Sequence, residues 1–376
     1  MAKGRTRRTV WLIVVSILTL AIAGLFGAVV RQSWVNNSAA AEIVERETHG
    51  AEMLHPTTTL IAELVELRSA AVRGARVVPD DMRKALAEIT EYDQKFGAEL
   101  QTSARLRELT SQIDATLARP VTGREAYESY SVLVTLAVAL EQRIGDTSHL
   151  VHDPDLDSYY LMEAAIKHLP QAMVYAGSAS DLAALALAPD LEGDEAIKAQ
   201  VARFGVATAA EAVTSGLRTS VEFTERSDLG SNITTRLDAF KAAVADFAPP
   251  SAISPEEGPV DTERLAANAN RVFAAANPLA HRLLSELEAL LEQRGERLAG
   301  EWTYTATAAG SAALIAVGLI WLLAAIRPRA GAPAANEHGD EEPSIGSFAY
   351  ARELLDSEEL VHVGRGVRSR GRGDAL

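Results

Sequence analysis

Two uninterrupted apolar segments, Thr9–Val30 and Thr303–Ile326, stand near the two ends of this chain and enclose about 270 more polar residues. Each is long enough to cross a bilayer as a helix, because roughly 20 apolar residues at about 1.5 Å rise match a hydrocarbon core of about 30 Å. A chain patterned this way places one large region on a single side of a membrane. The expected division is a cytoplasmic N-terminus at 1–8, a transmembrane helix at 9–30, an outer domain at 31–303, a second transmembrane helix at 304–326 and a cytoplasmic tail at 327–376.

Charge sets the orientation. Lys3, Arg5, Arg7 and Arg8 precede the first segment, Arg327 and Arg329 follow the second, and neither segment contains a basic residue. The positive-inside bias then puts both termini in the cytoplasm and makes the chain a multi-pass protein of the cell membrane. Trp11, Trp34, Trp302 and Tyr304 fall near the segment ends, where amphipathic rings favour the headgroup region. The stretch Thr6–Leu12 loosely resembles a twin-arginine leader, but the apolar run is longer than the 7–15 residues of a cleavable signal. An uncleaved anchor is therefore expected.

Composition narrows the outer domain. The net charge of −15 argues against a nucleic-acid partner. The absence of cysteine excludes disulfides and thiolate chemistry. Ala, Leu, Glu and Arg are abundant, and these are strong helix formers, so an all-α domain held by helix packing is expected.

The periodicity agrees. Leu60, Leu64, Leu67 and Ala71 share one stripe of a first helix that runs from the membrane to about Arg76, with the spacing of a coiled-coil or bundle seam. Val77-Val78-Pro79-Asp80-Asp81 is a turn, followed by a helix over about 80–118. Arg119–Gly123 is the next break, and a third helix reaches about Leu150. Asp153-Pro154 reads as an N-cap with proline at the first helical position. Further helices are expected at about 156–187, 191–227 and 231–247. Ala248–Pro259 holds four prolines in twelve residues and reads as a loop. The last outer helix starts near Asp261 and continues into the second span, with Leu279, Leu283, Glu286, Leu287, Leu290 and Leu291 on one stripe. Six or seven such helices without an alternating strand pattern imply stacked antiparallel helical bundles, whose first and last helices continue into the spans.

Candidate site residues are few. Asp153, Asp155 and Asp157 alternate, but an EF-hand loop would need glycine and glutamate where Ser158 and Ala164 stand. Helix capping accounts for the aspartates better, and no metal or other cofactor is expected. Ile61, Val65, Arg68 and Val72 form a second stripe, so Arg68 interrupts an apolar face. It is suited either to a ligand carboxylate or to an ion pair inside the bundle. Tyr159, Met162, Ile166, Leu169 and Met173 keep three-four spacing, which points Tyr159 at the core and leaves Tyr160 on its shoulder. Packing is the plain reading, and a ligand contact through a tyrosine hydroxyl the sharper one. No nucleophile elbow, phosphate-cradling loop or metal-spaced histidine pair is present, so the chain is not expected to be an enzyme.

His152-Asp153-Pro154-Asp155-Leu156-Asp157-Ser158-Tyr159-Tyr160-Leu161-Met162, followed by His168-Leu169-Pro170, resembles a segment of the extracytoplasmic helical domains of bacterial methyl-accepting chemotaxis receptors and related sensor kinases and diguanylate cyclases. The likeness covers about 20 residues, and the two-span layout agrees with it. It implies a sensory bundle between two transmembrane helices, working as a homodimer, with small organic acids as common ligands. Receptors of that type continue into a HAMP linker and a kinase-controlling hairpin, or into a catalytic module. Residues 327–376 are rich in Gly, Pro and charge and read as a disordered tail with one short helix near Phe348–Val361. Three readings follow: a stand-alone sensor that passes a change to a cytoplasmic or membrane signalling partner, a structural or interaction protein with a receptor-like bundle, and a truncated receptor.

Overall fold

A computed structural model describes residues 2–152, 155–187, 194–249 and 261–325. Asp153-Pro154, most of the proline-rich loop, and residues 327–376 with Arg327, Arg329 and the expected helix near Phe348–Val361 lie outside the described residues. So do the side chains of Lys3, Arg5, Arg7 and Arg8. The described residues lie in one compact unit, Met1–Leu322, apart from the end of the last helix.

Helix is the only regular structure among the described residues: α1 (Ala2–Val72), α2 (Asp80–Phe96), α3 (Ser103–Ala118), α4 (Gly123–Thr147), α5 (Leu156–Glu163), α6 (Leu169–Leu185), α7 (Asp194–Phe223), α8 (Leu229–Phe247) and α9 (Thr262–Ala325). A 3-10 turn at Leu150–His152 precedes α5, and a π-helical segment at Ala164–His168 joins α5 to α6.

The single helix expected at 80–118 is interrupted. Gln101 adopts φ 51°, a left-handed conformation that no helix continues through. Thr102 closes the break by donating its hydroxyl to Asp93 at 2.6 Å, while Leu100 is fully buried beneath it. The helix expected at 156–187 is also remodelled. Pro170 has no N–H for the carbonyl of Ile166, so the turn before it widens, and Leu169 N–H bonds back five residues to Ala164. One extra residue per turn shifts the phase of everything upstream. Met162, Ile166, Leu169 and Met173 of the expected stripe are buried and Leu161 is buried with them, while Tyr159 is only partly covered where it packs against the core.

α1 and α9, of 71 and 64 residues, are long and apolar enough to cross a membrane. The apolar part of each is uncovered: Ile13, Ile17 and Leu20 on α1 and Leu314, Ile315 and Trp321 on α9 are exposed. Further along, the same two helices become core elements. Leu60, Ile61, Leu64 and Val65 are all at 0 % exposure, so both stripes of α1 are covered and α1 is a central helix.

Side-chain contacts fix the directions. Asn37 donates to the Leu298 carbonyl at 3.2 Å, Arg294 pairs with Glu47, and His55 meets His281. Rising numbers on α1 thus meet falling numbers on α9, so the two run antiparallel as neighbours. α4 is antiparallel to α1, shown by Thr58 on Glu141 and Arg68 on Ser131. α6 is parallel to α1, with Val65 at Gly177 and Arg73 at Asp181. α7 turns back along α5 and α6, with Tyr175 over Gly205 and Ser220 on the Asp157 carbonyl.

Candidate functional site

Arg68 is 1 % exposed and lies where α1, α4 and α6 meet. Its Nε donates to Asp181 Oδ2 at 2.9 Å, its Nη2 to Ser178 Oγ at 3.1 Å and its Nη1 to Ser131 Oγ at 3.3 Å. The guanidinium carbon also lies 5.1 Å from the centre of the Tyr127 ring. α6 comes close enough for this because residue 177 is glycine: a Cβ there would stand 2.3 Å from Val65 Cγ1 and 3.0 Å from Arg68 Nη2. Burial raises the Asp181 carboxyl above its ordinary range, and the charges of Arg68 and Arg73 oppose that rise. The carboxylate that faces Arg68 is thus part of the chain.

Tyr159 and Tyr160 touch each other edge to face, with ring centres 5.2 Å apart. Tyr160 lies on Gly216 of α7, where a Cβ would come within 3.4 Å of its ring. The structure does not bring the tyrosines to Arg68. Tyr160 precedes Ser178, an Arg68 partner, by 18 residues of nearly continuous helix, or roughly 27 Å.

Beside the tyrosines, at the start of α5, is a cavity of about 220 Å³ lined by Asp155, Asp157, Phe223, Glu225, Arg226, Leu290, Arg294 and Arg297. Its arginines come from α9 and from the turn after α7. Arg294 pairs with Glu47 and with Asp155 at 2.6 Å. Arg226 grips Asp228 through two hydrogen bonds, at 3.1 and 2.7 Å, and lies 2.9 Å from Glu286. Among the described residues Arg297 pairs with Glu225 alone, at 3.3 Å, and both side chains are more than half exposed. An exposed pair of that kind contributes about 0–1 kcal/mol, so Arg297 can exchange Glu225 for a carboxylate from solution at little cost.

Two further polar groups lie within the bundle. Glu141 of α4 is fully buried and accepts one hydrogen bond, from Thr58 at 2.9 Å. Burial pushes its carboxyl well above the ordinary range, against the pull of Thr58. Between α1 and α9, His55 Nδ1 lies 3.0 Å from His281 Nδ1, and His55 Nε2 lies 3.2 Å from Glu288 Oε1. Burial, and then the neighbouring His55, hold His281 below the ordinary imidazole value. No group of three or more His, Asp or Glu among the described residues is arranged to hold a metal ion.

The sequence reading missed Asp181, the three cavity arginines and the histidine pair, because each is assembled from distant elements. Glu141 left a readable trace: Val134, Ala137, Glu141 and Ile144 share one buried stripe of α4, and a carboxylate on such a stripe is an anomaly. No known family model, no curated protein and no solved structure matches this chain.

Proposed function

We propose that this protein is a membrane-anchored sensor whose helical bundle stands outside the cell, with spans at 9–30 and 304–326 and both termini cytoplasmic. The observation that carries the reading is the continuity of α1 and α9. Each runs without a break from an uncovered apolar segment into the bundle, and the two are antiparallel neighbours there. A change in bundle packing at these helices is delivered directly to the membrane segments, and from them to a second copy of the chain or to a separate signalling protein. The resemblance of the Asp155–Met162 segment to receptor domains supports the same reading, and the role needs no catalytic step.

The stimulus assigned to it is a small organic acid at the cavity beside Asp155 and Asp157. Arg297 would supply the guanidinium for a bidentate grip, and Leu156, Phe223 and Leu290 would form the apolar wall; Tyr159 and Tyr160, the other candidates, do not line the cavity. Arg68 is given an architectural role, since Asp181 already occupies it. The competing reading, a structural or interaction protein, draws on that closed Arg68 cluster, in which Asp181 fills the candidate position from within.

A thermal-shift screen of organic acids on the full chain in nanodiscs separates them. A ligand selective for the native state raises the melting temperature by mass action, and Arg297→Ala should abolish the rise while Arg68→Lys should not. A screen in which no acid shifts the melting temperature, or a shift that survives Arg297→Ala, would overturn the assignment.

A further inference from the structure

His55 and His281 are a point at which the two membrane-continuous helices touch through two groups that titrate near neutral pH. Their rings are nearly coplanar, 9° apart, and meet edge to edge through Nδ1 atoms 3.0 Å apart. A contact that short requires one proton between two nitrogens, donated by one ring and accepted by the other. The outer nitrogens are also engaged: His55 Nε2 with Glu288 of α9 at 3.2 Å, and His281 Nε2 with Thr59 of α1 at 3.1 Å. The Thr59 hydroxyl also lies 3.2 Å from the His55 carbonyl, so it can either donate to that oxygen or turn to His281.

Counting protons over this chain gives its behaviour. With both rings neutral, Thr59 donates to His281, His281 donates to His55, and His55 donates to Glu288. With one added proton, Thr59 turns to the His55 carbonyl, accepts from His281 Nε2, and the bond between the Nδ1 atoms survives. With two added protons, both Nδ1 atoms carry hydrogen, and two donors on two like charges face each other at 3.0 Å. That state cannot keep the contact.

The surroundings make this junction the soft point of both helices. Pro56 follows His55 directly and Pro278 stands three residues before His281. Each proline removes a helical hydrogen bond and permits a bend. Glu288 of α9 meets His55 directly, and the groove that Glu288 enters is lined by Glu45 and Glu52 of α1, Tyr92 and Lys95 of α2, and Glu292 of α9. Behind Thr58 stands Glu141 of α4. The His55 side chain is 26 % exposed beside Glu288, so protons reach the pair from solvent through His55.

We propose that the His55–His281 bond is a proton-operated joint, which holds α1 and α9 together at neutral and alkaline pH and releases them in acid. The direction follows from His281, whose folded imidazole is held below the ordinary value by burial and by His55. A base disfavoured in this way stabilises the fold above its ordinary value of about 6.5 and loses that contribution as the pH falls below it. Acid in the outer compartment would thereby reach the membrane segments with no other ligand, and the inference does not depend on organic-acid binding.

The test uses the full chain in nanodiscs. Because the chain has no cysteine, Ser38→Cys and Gly300→Cys carry the only two nitroxide labels, at exposed positions on α1 and α9. Pulsed electron resonance should give one narrow distance distribution at pH 8 that lengthens or splits at pH 5. In the same labelled chain His281→Gln, whose amide N–H can donate to His55 as His281 does but which takes no proton, the distribution should match at both pH values. An unchanged wild-type distribution, or an equal change in the glutamine variant, would overturn the proposal. Should that variant fail to fold, the ring titration of His281 by NMR in the unlabelled wild type decides. Titration below 6.5 together with the wild-type distance change supports the joint, and titration at or above 6.5 refutes it.

Discussion

At the scale of single residues, the polar groups inside this bundle separate into closed pairs and groups that answer to pH. Glu141 is the clearest of the second kind, since it is fully buried with one hydroxyl as partner. Its carboxyl is raised above the ordinary value of 4.5, with burial as the cause. Below that value the folded and unfolded chains are both protonated, and Glu141 carries no penalty. Above it the unfolded chain releases the proton while the folded chain retains it, so stability falls as the pH rises. Glu141→Gln keeps an acceptor for Thr58 and removes the titration. The variant should melt above the wild type at pH 8, with a smaller gap at pH 5, in scanning calorimetry. An equal gap at both pH values would show that Glu141 is ionised in the fold. The stripe of α4 on which it lies was readable in the sequence. The threonine that meets it was not, because nothing local relates residue 58 to residue 141.

At the scale of elements, periodicity and punctuation located most helices to within a few residues. Val77–Asp81 separates α1 from α2, and Arg119–Gly123 separates α3 from α4, as proline and glycine dictate. Two features escaped. The break between α2 and α3 depends on a left-handed Gln101 and on the Thr102–Asp93 bond, neither of which alters the apolar pattern. The π-helical turn follows from Pro170, but its effect on the phase of Tyr159 shows only once the backbone is placed. The joining of elements is most exposed at Arg68, which ties α1 to α4 and α6. Arg68→Ala would leave the buried Asp181 without its nearest cation and with Arg73 at 3.6 Å, a change that costs up to about 3–5 kcal/mol. Arg68→Met combined with Asp181→Leu should recover most of that loss in denaturant unfolding. If the double variant is as unstable as the single one, the pair is needed for more than mutual neutralisation.

At the scale of the whole molecule, the apolar segments near the chain ends lie in two helices long and apolar enough to cross a membrane. The structure adds that the helices containing them are also core helices of the bundle. α1 is covered on both stripes and α9 runs antiparallel beside it, so the uncovered apolar segments and part of the core belong to the same two elements. The sequence showed helices able to continue into the spans, but their neighbour relation rests on pairs such as Asn37 with Leu298, about 260 residues apart in the chain. The central claim, a bundle held outside the membrane by two helices that return both termini to the cytoplasm, is tested most directly by thiol accessibility. Single cysteines at Glu108, Glu222, Thr6 and Ser369 would be exposed in intact cells to a membrane-impermeant maleimide. The account predicts labelling at 108 and 222 without permeabilisation, and at 6 and 369 only after it. Labelling of 6 and 369 from opposite sides, or of 108 and 222 only after permeabilisation, would contradict it.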